Sequence, residues 1–153
     1  MNKKSLKILG ITLARGGSKS VPKKNIKLIC GKPLIAYTIS EALKSKYLTR
    51  YIISTDDKEI AEISKLWGAE VPFIRPAELS DDYTGTTGVI AHAVSWMHEQ
   101  YWKPEAVCCI YAKSVFLTKD DLKKGLDALS NGNWSYAFSV TDFEYPIFCP
   151  FKE

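Results

Sequence analysis

The chain has 153 residues, of which 46% are hydrophobic and 25% are charged. This length fits one domain with a sizeable core, and the composition excludes a disordered chain, a collagen-like chain and a disulfide-stabilised mini-protein. No apolar run approaches the ~20 residues that a membrane helix requires, so we expect no contact with a membrane.

The first residues resemble a short secretory signal, because residues 1–7 are basic and residues 8–14 are apolar. The apolar stretch contains Gly10 and runs into Arg15 without a small-residue cleavage site, so we predict a buried strand instead. No CxxC spacing occurs among the four cysteines, which are Cys30, Cys108, Cys109 and Cys149. We therefore expect free core thiols and a cytoplasmic protein.

The net charge of +4 is unevenly distributed. Residues 1–50 contain twelve Lys or Arg and one acid, Glu41, whereas residues 51–153 contain nine bases and sixteen acids. The positive N-terminal part indicates an anionic ligand, with a solvated basic face as the alternative. A nucleic acid is not expected as the partner, because the basic residues are not interleaved with exposed aromatics and the acidic remainder repels a long polyanion.

The first half of the chain alternates between strand and helix patterns. In chain order it predicts a buried strand at 6–13, a loop rich in Gly, Ser, Lys and Pro at 14–32, an amphipathic helix at 33–47 and a short strand at 51–54. Thr55 or Asp56 is the expected cap of the next helix, which carries an apolar stripe and ends at Gly68.

The second half continues the alternation. It predicts a short edge strand at 71–74, a polar segment at 75–87, a helix from about 89 to 101, an apolar strand at 107–111, a helix at 118–129 behind a capping box, and a last strand at 136–140. This order predicts a single three-layer α/β domain over 1–153 with a mostly parallel sheet. Ligands bind such sheets beyond the carboxyl ends of the strands, so the loop after the first strand is the leading candidate site.

That loop has the chemistry of an anion site. Adjacent glycines, Gly16 and Gly17, let the backbone approach a ligand closely, and Arg15 offers a planar fork to phosphate oxygens. Four cationic side chains occur between Ala14 and Asn25. The pattern matches neither GxxxxGK[ST] nor GxGxxG, so the residues alone leave anion binding and a solvated turn both open.

The same residues carry a resemblance to a known family. The segments LARGGSK at 13–19, PKKN at 22–25, GKPL at 31–34, STDD at 54–57 and RPAELS at 75–80 followed by Asp82 are similar to the motifs of acylneuraminate cytidylyltransferases. Further segments resemble the members that act on pseudaminic acid, namely AEVPF at 69–73, AHA at 91–93, CCIYA at 108–112 and YAFSVT at 136–141. The resemblance covers nearly the whole chain and implies a Rossmann-like nucleotidyltransferase domain.

The resemblance implies a role for six residues. Arg15 and Lys24 would be catalytic, since they would hold the triphosphate and offset charge on the α-phosphate during attack. Ser18 would hydrogen-bond a phosphate oxygen. The base and ribose of the nucleotide would be met by the remaining three, which are Asn25, Arg75 and Thr86.

The implied enzyme is a nucleotidyltransferase of cell-surface polysaccharide biosynthesis. It would transfer CMP from CTP to a nonulosonic acid, an acidic nine-carbon sugar that is sialic-type and here of the pseudaminic kind, and release pyrophosphate. Mg²⁺ would arrive on the triphosphate, no protein residue is expected to bind a metal, and the protein is expected to be a homodimer. The alternative is a catalytically inactive remnant of the family that binds the nucleotide or the sugar.

Two departures from the family pattern accompany the resemblance. Members that act on pseudaminic acid usually have Ala-Thr-Ala-Pro-Phe after the central strand, where this chain has Ala112-Lys113-Ser114-Val115-Phe116. Members also continue well beyond a point equivalent to Glu153, with more sheet, a dimerisation arm and a late aspartate pair. The chain is therefore expected to lack the C-terminal part of the family.

The acidic and histidine residues have ordinary interpretations beside the functional ones. Asp56-Asp57 is either a metal pair or, more commonly, a helix cap, and Asp81-Asp82 is either a pair of loop acids or a substrate contact. His92 lies among apolar positions and is expected to be a hydrogen-bonded core residue. The cysteines have no paired base in the sequence, so a nucleophilic role is not expected for them.

Overall fold

The computed structural model describes residues 6–142, in which strands and helices alternate. In chain order the elements are β1 (Ile8–Leu13), a 3₁₀ turn at Lys24–Ile26, β2 (Leu28–Ile29), β3 (Lys32–Pro33), α1 (Leu34–Lys44), β4 (Arg50–Ser54), α2 (Lys58–Leu66), a 3₁₀ turn at Ala77–Leu79, α3 (Thr86–Glu99), β5 (Ala106–Tyr111) and α4 (Lys119–Ser130). The predicted α/β alternation is therefore confirmed.

The main sheet has three parallel strands in the order β4-β1-β5. In its register, Gly10 of β1 lies opposite Tyr51 of β4 and Cys108 of β5. The central strand is almost entirely buried, which explains its continuous apolar sequence. β5 is an edge strand among the described residues, so its side chains are only partly covered despite their apolar character.

Helices cover both faces of the sheet. Because successive side chains of a strand point to opposite faces, Ile52 packs in one core and Ile53 in the other. The core that contains Ile53 brings together residues of α1 and α2, with Leu122 of α4 packed against it. The core that contains Ile52 joins Leu9 and Ile11 of β1 to α3. The three-layer prediction is confirmed by this arrangement.

Two helix ends show how local chemistry decides an element's bounds. The cap of α2 is Asp57, whose Oδ1 accepts from the backbone N–H groups of Glu59 at 2.8 Å and Ile60 at 3.0 Å. The prediction of Thr55 or Asp56 as this cap is therefore wrong by one or two residues. At the start of α4, Thr118 and Asp121 form the predicted capping box, in which each side chain accepts from the other residue's backbone N–H.

Two of the predicted strands do not form. In place of the strand predicted at 71–74 there are only two isolated bridges, from Glu70 to Ile52 and from Ile74 to Thr55. Pro72 between them has no N–H to donate, which interrupts a continuous ladder. The predicted strand at 136–140 is also absent, because none of the described strands lies beside this segment and its Tyr136, Phe138 and Val140 side chains are exposed.

The predicted loop at 14–32 contains structure that the composition did not indicate. Its end forms a small antiparallel hairpin of β2 and β3, with Cys30 and Gly31 both at positive φ in the turn. Cys30 is therefore exposed, and its prediction as a core thiol is wrong. Cys108 and Cys109 are half-buried free thiols, and Cys149 lies outside the described residues.

Within residues 6–142, no helix combines the length and the apolar character needed to cross a membrane.

Candidate functional site

A cleft of about 480 Å³ lies at the carboxyl ends of β1 and β5. Its lining includes Leu13 and Arg15, at and just after the end of β1. It also includes Tyr111, Ala112 and Lys113, at and just after the end of β5. The next strand of this sheet in the chain, β4, lies on one side of β1, and the one after it, β5, lies on the other side, so the strand order reverses at β1. The cleft thus occupies the position at which parallel α/β sheets bind ligands.

All six residues that the resemblance singles out line this cleft. They come from three separate segments of the chain, namely the loop after β1, the segment after α2 and the first turn of α3, and they are Arg15, Ser18, Lys24, Asn25, Arg75 and Thr86. The lining also includes Lys19 and Lys113, which gives five cationic side chains against the two carboxylates of Asp81 and Asp82. The electrostatic character of the cleft is therefore that of an anion site.

Arg15 is held at the mouth of the cleft by the segment that precedes α3. Its Nη1 donates to the carbonyl oxygen of Asp81 at 2.8 Å, and its Nη2 lies 2.7 Å from Oδ1 of Asp82. The ammonium of Lys19 pairs with the second oxygen of the same Asp82 carboxylate. The hydrogen bonds from Lys19 and Arg15 lower the pKa of Asp82, so this carboxylate is ionised at neutral pH.

The loop after β1 is attached to the start of α2 through Asp56. The Asp56 Oδ1 atom accepts from the Gly16 backbone N–H at 3.0 Å and from Nη2 of Arg75 at 3.3 Å. Gly16 also passes so close to Asp57 that a Cβ at this position would lie 2.7 Å from Oδ2 of that residue. The first glycine of the pair is therefore required by a close approach, whereas a Cβ on Gly17 would meet nothing within 4 Å.

Three polar side chains shape the inside of the same loop. The Asn25 Nδ2 group donates to the Arg15 carbonyl at 2.9 Å, which pins the loop back on itself. The Lys24 ammonium lies 3.4 Å from the Ser20 hydroxyl, and the buried Ser18 Oγ has no hydrogen-bond partner among the described residues. A hydroxyl left in this state gains a hydrogen bond when a ligand oxygen enters the cleft.

Arg75 is the buried cation of the site, with 5% of its surface exposed. Its Nε donates to Ser80 Oγ at 3.0 Å, and its guanidinium pairs with Asp56. Burial lowers the pKa of Arg75, and the nearby Asp56 carboxylate offsets part of this effect by favouring the charged form. The residue thus joins the loop after β4 to the segment that precedes α3.

The far side of the cleft is formed by the first turn of α3 and the end of β5. Thr86 begins α3, and its Oγ1 lies 3.3 Å from the phenolic oxygen of Tyr111. Lys113 follows β5 in an exposed turn, where the sequence departs from the family pattern, and it also lines the cleft. Both sides of the cleft therefore present donors to whatever lies between them.

The carboxylates of Asp56 and Asp57 hold the start of α2 and the loop after β1 in place. Asp57 caps α2 and Asp56 binds Gly16 and Arg75, so the helix-cap interpretation of this pair is confirmed for Asp57. Between residues 6 and 142 there is no group of three or more His, Cys, Asp or Glu side chains that is arranged to hold a metal ion.

Among residues 6–142, the half-buried His92 and the two thiols of β5 have no partners that would activate them. His92 packs edge-on against Phe73, with ring centroids 4.8 Å apart, and its buried Nδ1 has no hydrogen-bond partner among the described residues. The expectation that this histidine is hydrogen-bonded is therefore wrong. Burial raises the pKa of Cys108 to about 11 and also raises the pKa of Cys109, which makes both poor nucleophiles.

Some contributions to the site were not predicted from the sequence. The Tyr111 hydroxyl and the bridging role of Asp56 depend on pairs of residues that are far apart in the chain. Tyr111 had one local signal, since it ends a strand at the edge where ligands bind. No local signal indicated that Asn25 donates to the Arg15 carbonyl, because nothing in the sequence shows that the loop folds back on itself.

Most of the chain is similar to known cytidylyltransferases. A sequence model of the cytidylyltransferase family matches residues 9–145. The chain is 42% identical over 142 residues to the pseudaminic acid cytidylyltransferase of Campylobacter jejuni, and the alignment covers 93% of this chain and 61% of that protein. It is 34% identical over 138 residues to N-acylneuraminate cytidylyltransferase A of Danio rerio, covering 90% of this chain and 31% of the relative.

Solved structures show the same fold. The chain is similar to CMP:2-keto-3-deoxy-manno-octonic acid synthetase complexed with CTP, with a TM-score of 0.68 and 20% identity over 83% of this chain and 48% of that one. A cytidylyltransferase from Leptospira borgpetersenii gives a TM-score of 0.61 at 15% identity, covering 82% and 50%. The chain thus spans about half the length of these structures and 61% of the Campylobacter relative.

The family match begins in β1, contains every residue of the cleft and extends past the last described residue. The resemblance inferred from the ordered motifs is confirmed by this match and by the sequence relatives. We conclude that the chain belongs to the cytidylyltransferase family.

Proposed function

We propose that this chain binds CTP in the cleft between β1, β5 and α3 and transfers CMP to a nonulosonic acid of the pseudaminic kind, with release of pyrophosphate. One observation supports this proposal above the others. Six residues with the chemistry of a triphosphate site, drawn from separate segments, converge on one cleft that carries an excess of cations. The choice of nucleotide and sugar is supported by the 42% identical relative, which is a pseudaminic acid cytidylyltransferase.

In the proposed reaction the anomeric hydroxyl of the sugar attacks the α-phosphorus of CTP. The new O–P bond forms as the bond to the bridging oxygen breaks, pyrophosphate leaves and the hydroxyl proton is released. Chemistry of this kind depends on positioning and on stabilisation of charge at the phosphate oxygens. Arg15 and Lys24 supply that charge, and the unpartnered Ser18 hydroxyl donates to a phosphate oxygen.

The nucleoside end of CTP is assigned to the opposite part of the cleft. One N–H of the Asn25 amide holds the Arg15 carbonyl, which leaves its second N–H and its Oδ1 for the ribose or the base. Thr86 presents a hydroxyl from the first turn of α3, and Arg75 offers donors beside the pyrimidine. CTP should therefore bind more tightly than ATP or GTP.

Mg²⁺ is the expected companion of the triphosphate. The two carboxylates that line the cleft are engaged with Arg15, Lys19 and backbone N–H groups, so none of the described residues is assigned as a metal ligand. The ion would be held by phosphate oxygens and water and would neutralise part of their charge. A homodimer also remains a prediction, which light scattering of the purified protein tests.

Calorimetry with CTP, UTP, ATP and GTP tests the binding step. Arg15→Ala and Lys24→Ala should each weaken CTP binding by about 1.5–3 kcal/mol, the contribution of a hydrogen bond to a charged group. Lys27→Ala is the matched control, because Lys27 belongs to the same basic loop but does not line the cleft. Equal affinity for the four nucleotides, or normal binding by both cleft variants, would contradict the proposal.

Pyrophosphate release in the presence of CTP, Mg²⁺ and pseudaminic acid tests the chemical step separately. Turnover that depends on both Arg15 and the sugar supports nucleotidyl transfer. Tight CTP binding without pyrophosphate release would instead support the alternative predicted from the sequence, a binding domain without activity.

A further inference from the structure

The Asp82 carboxylate occupies the space between two cations of the loop after β1. One of its oxygens lies 2.7 Å from Nη2 of Arg15, and the other pairs with the Lys19 ammonium. The Arg15 guanidinium receives a second acceptor from the same segment, the Asp81 carbonyl at 2.8 Å from Nη1. Two oxygens on two adjacent N–H groups reproduce the forked contact that arginine makes with a phosphate.

The segment that delivers Asp82 is held in a fixed turn by its own hydrogen bonds. Asp81 Oδ1 accepts from the backbone N–H groups of Tyr83 at 3.0 Å and Thr84 at 2.6 Å, which closes a tight turn. On its other side, Ser80 accepts from Arg75. Both arginines of the cleft therefore hold the same short segment at neighbouring residues, Arg75 at Ser80 and Arg15 at Asp81 and Asp82.

We propose that Asp82 is an anionic placeholder, a positioning residue that occupies the phosphate position between Arg15 and Lys19 in the free protein and is displaced when a triphosphate binds. This inference rests on the proposed function of the cleft. It assigns a role to one of the two acids whose sequence interpretation was ambiguous, and it makes Asp82 a determinant of affinity without making it a catalytic residue.

The physical reason is competition for a single set of donors. Arg15 and Lys19 cannot give their best-placed N–H groups to both a carboxylate and a phosphate, and two adjacent anions repel each other. The Arg15–Asp82 contact is one-third exposed on both sides, so it is weak enough for a multiply charged ligand to replace. Until then it keeps both flexible cations near the position in which they are needed, which reduces the ordering cost of binding.

Displacement also has a consequence for the rest of the site. The segment from Ser80 to Thr84 leads directly into the first turn of α3, where Thr86 lines the cleft. Release of Asp82 from Arg15 and Lys19 therefore frees the part of the segment that leads into α3, while Arg75 still holds Ser80. Triphosphate binding is coupled in this way to the position of the residue assigned to the nucleoside.

Calorimetric titration of Asp82→Asn with CTP tests the inference, because asparagine keeps the size of the side chain and removes its charge. We expect binding about three to ten times tighter than in the unsubstituted protein, as one part-exposed ion pair no longer competes. Glu78→Gln is the matched control, because it removes the same charge from an exposed side chain of the neighbouring 3₁₀ turn that does not line the cleft. Its affinity should stay within about twofold of the unsubstituted protein.

The sign of the change separates this role from the others that Asp82 could have. If Asp82 only holds the loop together, its replacement weakens CTP binding. If the ion pair is an incidental surface contact, the replacement leaves CTP affinity unchanged. Either result overturns the inference. The titrations are repeated with Mg²⁺ and with EDTA. Weaker binding by Asp82→Asn in Mg²⁺ alone would identify Asp82 as a metal contact and would also overturn it.

The proposed function and this inference fail in different ways. If Arg15→Ala binds CTP normally, the cleft is not the triphosphate site. If Arg15→Ala loses affinity but Asp82→Asn does not gain it, the triphosphate site stands and the placeholder role does not. Thermal denaturation of each variant confirms that the compared proteins are folded.

Discussion

Gly16→Ala is the sharpest available perturbation of the loop after β1. A Cβ at this position would lie 2.7 Å from Oδ2 and 2.9 Å from Cβ of Asp57, distances at which one of the two groups must move. Asp57 cannot move freely, because its Oδ1 caps α2 through the N–H groups of Glu59 and Ile60. The added methyl group therefore strains either the loop or the first turn of the helix.

The size of the effect follows from these contacts. Inserting a methyl group into a packed position costs about 1–3 kcal/mol, and loss of an N-cap costs about 1 kcal/mol. We expect the free energy of unfolding to fall by about 1–3 kcal/mol. CTP affinity should fall by about tenfold, because Arg15 precedes the displaced residue and one charged hydrogen bond has about that value.

Gly17→Ala is the matched control in the adjacent residue. Its Cβ would meet no atom within 4 Å, and φ is not positive at either glycine. Its stability should therefore change by no more than about 0.5 kcal/mol. Urea denaturation and CTP calorimetry on both variants measure the two effects. Equal destabilisation by the two substitutions, or none by Gly16→Ala, would refute the argument from close approach.

Two further predictions concern the buried groups around the site. Arg75→Met should lower the free energy of unfolding by about 2 kcal/mol, since it leaves the Asp56 carboxylate without its cation, and Arg75→Lys should recover part of this loss; urea denaturation of both variants measures the difference. Cys108, whose pKa burial raises to about 11, should react with iodoacetamide at pH 8 far more slowly than the exposed Cys30, and peptide mapping that finds equal rates would contradict the described burial.

The order of elements and the location of the site could be predicted because they depend on local patterns. Continuous apolar runs indicate β1 and β5, and the spacing of Thr118 and Asp121 indicates the start of α4. The strand at 136–140 shows the limit of such patterns. Alternating aromatic and branched side chains favour an extended segment, but a strand also needs a neighbouring backbone to accept its hydrogen bonds. None of the described strands supplies one.

Residue types and spacing were enough to identify a basic, glycine-containing loop and the family to which its motifs belong. The contacts that those residues make could not be predicted in this way, because each contact joins residues that are distant in the chain. The contact of Asp82 with Arg15 spans 67 positions, and that of Asp56 with Gly16 spans 40. Only the parallel packing of β4, β1 and β5 brings the loops after these strands to the same edge of the sheet. The sequence therefore predicts the groups that can meet an anion, and the tertiary structure decides which of them are already paired.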